Sequence, residues 1–184
     1  MKKSSILILI IICLVGCKKG SNETTITGEI KGLGTDTLYL YGMDELYDRI
    51  DTIYVENDKF SYTTSVDTIT SAYLLLKNRI EYPVFLDKGN KIKIKGDTIN
   101  LNFLTISGNI YNEEFTDFQK ALEDPADPSE KAGEETVDKR ITVEKANTAE
   151  EMAEEFILQH HSSYVSLYLL DKYFVQKETP DFSK

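Results

Sequence analysis

The sequence predicts an α+β protein, with an antiparallel β-sandwich or barrel of about eight strands followed by C-terminal helices. Three observations carry that prediction. Apolar residues recur at alternate positions through residues 26–108. Turn residues punctuate the alternation about every ten positions, the spacing of short antiparallel strands. Beyond Gly108 the apolar period lengthens to that of a helix.

The first strand alternates Ile26, Gly28 and Ile30 with Thr27 and Glu29. The turn Gly32-Leu33-Gly34-Thr35-Asp36 leads into a second strand, where Leu38 and Leu40 alternate with Tyr39 and Tyr41. Residues 51–56 form the third. Asn57-Asp58 follows as a tight hairpin turn into Phe60-Ser61-Tyr62-Thr63. Residues 72–77 are a more continuous apolar run, as in a strand buried on both faces. Asn78-Arg79 turns into residues 82–86, where Pro83, lacking an amide hydrogen, marks an edge strand. Asp87-Lys88-Gly89-Asn90 turns again into Lys91-Ile92-Lys93-Ile94-Lys95, a strand with one wet face, and residues 99–106 read as the eighth strand.

In the helical part, Phe115, Phe118 and Leu122 share one helix face, and Pro125 and Pro128 break that helix. Residues 129–149 are charged, with Val137, Ile141 and Val143 to bury, and read as an exposed helix or linker. Thr148 and Glu151 have capping-box spacing, so a helix is expected to start there with Met152, Phe156 and Ile157 as its stripe. A last helix from about Ser163 carries Val165, Leu167, Tyr168, Leu169, Leu170, Tyr173 and Phe174. That is more apolar surface than a lone helix leaves in water.

The start of the chain has a different logic. Lys2 and Lys3 precede an apolar run from Ile6 to Val15, too short to span a bilayer and placed where an export signal belongs. It ends in Leu14-Val15-Gly16-Cys17, which resembles the lipobox of bacterial lipoproteins. That resemblance implies diacylglycerol on the Cys17 thiol and cleavage just before it. Residues 1–16 are then a signal peptide, and residues 17–25 a lipidated polar tether. Residues 26–108 follow as the β domain, and 109–184 as a helical region with a charged linker. Lys18 stands where an aspartate would resemble an inner-membrane retention signal. The expected location is therefore the cell envelope, on the outer membrane facing the periplasm.

The 184 residues carry a net charge of −10, which becomes −12 once Lys2 and Lys3 leave with the signal peptide. So acidic a body repels phosphate backbones, and no basic stripe with interleaved aromatics occurs, so nucleic-acid binding is not expected. Cys13 and Cys17 are the two cysteines; one would depart and the other be acylated, leaving no thiol for redox, disulfide or metal chemistry.

No constellation elsewhere reads as catalytic. His160 and His161 project about 100° apart on a helix and do not face one metal together, and neither a metal nor a cofactor is expected. Ser162 and Ser163 read as helix caps, because a Ser–His relay needs side chains converging from separate elements. The acidic groups Glu113, Glu114 and Asp117, then Glu123, Asp124 and Asp127, then Glu150, Glu151, Glu154 and Glu155, lack calcium-loop spacing and read as solvated faces. Gly28, Gly32 and Gly34 fall at a hairpin rather than in a phosphate loop. Among the tyrosines, Tyr39, Tyr41, Tyr54 and Tyr62 occupy alternating strand positions that cross-strand packing explains.

The opening Ile26-Thr27-Gly28-Glu29-Ile30-Lys31-Gly32, with the turn Phe85-Leu86-Asp87-Lys88-Gly89-Asn90, resembles a known lipoprotein module. It is the N-terminal domain of unknown function that precedes a thioredoxin-like domain in envelope-anchored thiol–disulfide reductases and peroxiredoxin-like proteins of Gram-negative bacteria. Residues 160–170 are similar to the helical connector before the thioredoxin part. The family's Cys-x-x-Cys has no counterpart after Cys17, so no catalytic residue carries over.

The expected function is thus that of a non-catalytic binding or positioning module, held to a membrane through lipid on Cys17. The alternative is the front of a thiol–disulfide oxidoreductase whose thioredoxin-like domain is missing or separately encoded. A thioredoxin-like domain or protein would then pack on the helix from Ser163; a second copy of the chain is the other covering expected for that helix.

Overall fold

The structure, a computed structural model, describes residues 22–43, 45–123 and 138–176, with the backbone alone at residue 78 and residues 138–148. Eight strands form two four-stranded sheets. They are β1 (Glu23–Lys31), β2 (Asp36–Gly42), β3 (Ile50–Val55), β4 (Lys59–Ser65), β5 (Thr70–Leu75), β6 (Glu81–Leu86), β7 (Lys91–Asp97) and β8 (Thr105–Ser107). The first sheet runs β4-β1-β7-β8 and the second β3-β2-β5-β6. The fold is α+β, a sandwich followed by helices, as the alternation predicts. One pair departs from the antiparallel pattern: β1 and β7 run parallel, with Ile26 beside Ile92 and Gly28 beside Ile94.

The period of two decides which face is buried. Ile26, Ile30, Ile92 and Ile94 of the first sheet meet Leu38, Leu40, Ile53 and Leu74 of the second in one dry core. Gly28 lies within β1 rather than at a turn. A Cβ there would collide with the ring of Phe60, its cross-strand partner.

Each open side of the sandwich is closed differently. On one side, β3 and β4 are joined by Asn57 and Asp58, both at positive φ (51° and 68°), yet the two strands enter different sheets. Their turn is tied to the β1–β2 turn, because the Asp58 carboxylate accepts from the Gly34 N–H at 2.6 Å and the Asp58 N–H donates to the Gly34 carbonyl.

On the other side lie the free edges of β6 and β8, bridged by α1 (Ile110–Glu123). Asn112 is 1% exposed; its side-chain oxygen accepts from the Phe85 N–H at 3.0 Å and its amide nitrogen donates to the Phe85 carbonyl at 2.8 Å. One turn later the Thr116 hydroxyl takes the Ile106 N–H and donates to the Ile106 carbonyl, both at 3.0 Å. α1 therefore supplies the hydrogen bonds that a further strand would have given each edge. Pro83 lies on β6, the edge its missing N–H predicts.

α2 (Asp138–Gln159) and α3 (Tyr164–Leu170, continued as a π-helix over Asp171–Val175) cover α1 and the outer side of β6. Their aromatic rings interlock edge to face: Phe115–Tyr168 at 5.3 Å, Phe85–Tyr168 at 6.4 Å and Phe118–Phe156 at 5.7 Å between centroids.

Three expectations are corrected. Residues 99–106 are not one strand. Asp97 folds its side chain onto the Ile99 N–H at 2.9 Å, so residues 98–100 form a 3₁₀ turn, Ile99 is exposed, and β8 keeps three residues. Thr148 is not an N-cap, since α2 runs unbroken across it from Asp138. β5 is not equally buried on both faces: Ala72 and Leu74 are fully buried, whereas Tyr73 and Leu75 are half-buried. Pro125 and Pro128, expected to break α1, lie outside the described residues.

Candidate functional site

The lipidation residue Cys17 and the lipobox residues Leu14, Val15 and Gly16 lie outside the described residues, as do the signal peptide and most of the tether. Among the described residues no helix is long and apolar enough to cross a membrane.

One polar convergence lies where α1 meets the α2–α3 turn. Glu114, on the first turns of α1, reaches two groups at once. One carboxylate oxygen accepts from the Ser163 hydroxyl at 2.6 Å, and the other stands 3.7 Å from Nδ1 of His160. His160 stacks on Phe156, one helical turn back, at 4.3 Å between ring centroids. Tyr111, Gln159 and Ser162 complete a shallow cleft around them.

Its chemistry is decided by where the protons point. The Ser163 hydroxyl donates to the carboxylate and not to an imidazole, while its oxygen accepts from the Val165 N–H at 3.1 Å as the N-cap of α3. A relay needs the imidazole between acid and hydroxyl; here the carboxylate sits between them. The arrangement holds two helix ends together. Ser163 is a cap, as expected, whereas Ser162 caps nothing and lies in the turn. His161 is exposed, but His160 is packed between Phe156 and Glu114 rather than simply solvated. The four-residue spacing from Phe156 to His160 carries the stacking contact in the sequence; the forty-nine positions between Glu114 and Ser163 conceal the other.

A second polar cluster seals the β3–β4 side. The Tyr47 hydroxyl donates to Asp51 and lies 3.1 Å from the Thr64 hydroxyl, Arg49 pairs with Asp51 at 3.1 Å, and the Arg49 guanidinium covers the Tyr47 ring at 4.6 Å. Burial, with the Asp51 carboxylate beside it, pushes the Tyr47 phenol up to about 12. The guanidinium also donates to Thr64 and to the Ser65 carbonyl, which fastens the loop before β3 onto β4. This too is a structural tie.

The tyrosines divide between faces. Tyr39, Tyr41 and Tyr54 share the outer face of the second sheet with Ile50 and Tyr73, and Tyr41 packs on Tyr73 at 5.6 Å. Tyr54 and Ile50 are about three-quarters exposed, so the face is open aromatic surface. Tyr62 points to the opposite side, towards the core of the first sheet.

The acidic groups are spread over separate tasks. Glu113 accepts from the Gly108 N–H, Asp117 pairs with Lys120 at 2.8 Å, Glu123 accepts from Asn100, and Glu155 from Gln159. Asp124 and Asp127 lie outside the described residues. Among the described residues no three His, Cys, Asp or Glu side chains converge to hold a metal ion.

A family model described as "Domain of unknown function (DUF4369)" matches residues 24–115, half of the chain. The match begins one residue into β1 and ends within α1, so it takes in all of the sandwich but Glu23, and Asn112 as well. No curated protein matches the chain.

Proposed function

We propose, from the premise that this chain belongs to the family described as Domain of unknown function (DUF4369), that it is a lipid-anchored protein of the cell envelope acting as a non-catalytic binding or positioning module. The observation that carries the reading is the fate of the Ser–His–Glu convergence. Its hydroxyl and carboxylate are engaged in capping α3 and joining it to α1, leaving no base poised on a nucleophile. On this reading residues 1–16 are removed, Cys17 becomes the acylated N-terminus, residues 17–25 are a tether, and the folded body faces the periplasm from the outer membrane. Buried acyl chains, at about 0.8 kcal/mol per methylene, hold such a protein without a spanning helix.

Cys17→Ala tests the anchor: it should abolish fatty-acid labelling and release the protein from membranes. Labelling that survives the substitution removes the anchor. Turnover of ester, peroxide or thiol substrates by the purified chain removes the non-catalytic reading.

A second reading makes the chain the front of a thiol–disulfide oxidoreductase whose thioredoxin-like domain is missing or separately encoded. It is favoured by apolar surface left at the last helix. Leu167 is 61% exposed and Val175 42%, although Val165, Tyr168, Leu169 and Phe174 are already buried within this chain. DNA beyond the codon for Lys184, or in the adjacent gene, encoding a thioredoxin-like Cys-x-x-Cys segment supports this second reading; unrelated sequence there counts against it.

A further inference from the structure

The outer face of the first sheet stands apart from the rest of this acidic protein. Lys91, Lys93 and Lys95 project from β7 in one row, all exposed, while Ile92 and Ile94 between them are buried. Their spacing is about 7 Å, two strand residues. The parallel register sets Lys91 beside Thr25, Lys93 beside Thr27 and Lys95 beside Glu29, and β8 sets Ser107 and Thr105 on the other flank. Across β1 lie Thr63, Ser61 and Lys59 of β4. Threonines and serines therefore flank the row on both sides, and the ammonium groups stand out from them. Its carboxylates are Glu23, Glu29 and, at the far end of β7, Asp97; Glu29 is engaged 4.0 Å from Lys59, and Asp97 lies beside Lys31 and accepts from the Ile99 N–H. Among the described residues the three β7 lysines have no ion-pair partner. The protein's net charge is −10, and much of the negative charge sits on the helices, with Glu113, Glu114, Asp117 and Glu123 on α1.

We propose that this lysine-lined face of the first sheet docks onto anionic phospholipid headgroups of the membrane that carries the protein. The inference rests on the lipid anchor at Cys17 and goes beyond it, since an anchor alone leaves the body free to tumble on its tether. The tether joins the sheet at β1, whose Thr25 is in register with Lys91, so the lysine row begins at the anchored end. Five residues separate Cys17 from Glu23, six backbone steps with a reach of at most about 20 Å. That keeps the face within a few screening lengths of the headgroups at physiological salt, about 8 Å each. A basic lysine row on a body otherwise repelled by a negative surface selects one orientation, with the sheet towards the lipid and the acidic helices away. Each lysine against an anionic surface contributes about fivefold in occupancy, so three together favour the docked orientation by about a hundredfold.

Lysine footprinting on the intact lipidated protein tests this. The full chain is reconstituted in vesicles of phosphatidylethanolamine with phosphatidylglycerol, or of phosphatidylcholine alone, and exposed amines are acetylated and quantified by peptide mass spectrometry. In the anionic vesicles Lys91, Lys93 and Lys95 should label about fivefold more slowly than in phosphatidylcholine, and recover at about 1 M salt, where the screening length falls to about 3 Å. Lys77 and Lys120, on other elements, should label alike in both. Equal labelling of the β7 lysines in the two vesicles, or protection that ignores salt, overturns the proposal. Protection by added polyglutamate but not by anionic lipid overturns it as well, and assigns the face to an acidic polymer. The same spectra report the mass at Cys17, so loss of the anchor and loss of the docked face are read separately.

Discussion

Asn112 occupies a position that residue statistics reserve for apolar side chains, and its amide does there what a peptide group of a ninth strand would do. Replacing it with leucine removes both bonds to Phe85. The Phe85 carbonyl keeps Asn109 as a donor at 2.9 Å, but the N–H is left unpaired in a dry environment. Asn112→Leu should lower unfolding free energy by about 2–4 kcal/mol in urea titrations without changing the slope; stability within error of the wild type would mean that α1 closes the edge by packing alone. Asn112→Asp separates the two bonds. It keeps an acceptor for the N–H but loses the donor, and it buries a carboxylate whose pKa is thereby raised above its unfolded value. Its deficit should shrink as pH falls and the acid protonates, and grow again towards neutrality. None of this is legible in the sequence. Asn57-Asp58 can be read as a turn because its chemistry is local, whereas the partner of Asn112 is twenty-seven positions upstream, and the helical spacing to Phe115 gives its face but not the backbone it meets.

At the scale of elements, strands β1 to β5 and β7 follow the alternation in the sequence because each has one face in the core and nothing competes with the ladder, whereas β6 is buried on both faces, its Phe85 lying against Tyr168 of α3. The elements that depart from the sequence pattern are those where a side chain captures its own backbone or where a cap signal lies inside a helix. Asp97 ends the alternation by accepting from Ile99, an interaction the apolar period does not register. Thr148 and Glu151 carry the spacing of a capping box, yet the helix already runs through them. The two settings give opposite signs. Thr148→Ala inside a helix should leave stability unchanged or raise it by up to about 0.5 kcal/mol, whereas loss of a true N-cap costs about 1 kcal/mol. Ser163→Ala serves as the contrast, since it removes both the cap of α3 and the bond to Glu114 and should cost about 1–2 kcal/mol. A destabilised Thr148→Ala would place the start of the packed helix near residue 148 after all.

The molecule as a whole is held by one core that passes from the sandwich into the helices without a break: Ile26 and Ile92 belong to the same buried cluster as Phe115, Ala153 and Tyr168. The sequence shows the change of period at Gly108 but not this continuity, because packing between distant helices and a sheet edge leaves no periodic trace. The consequence is testable with a chain ending at Glu123, which retains all eight strands and α1. It would lack Val165, Tyr168, Leu169 and Phe174, each fully or nearly fully buried. At about 1.5–3 kcal/mol per buried side chain, their loss removes on the order of 8 kcal/mol from a fold whose total margin is typically about 5–15 kcal/mol. Phe85, Phe115 and Phe118 would also face water. The shortened chain should bind a hydrophobic dye and lose a cooperative urea transition, while the longer chain keeps one. If instead it unfolds cooperatively at the same midpoint, the sandwich with its α1 seam is self-sufficient. The later helices would then be free to serve as the surface on which another domain rests.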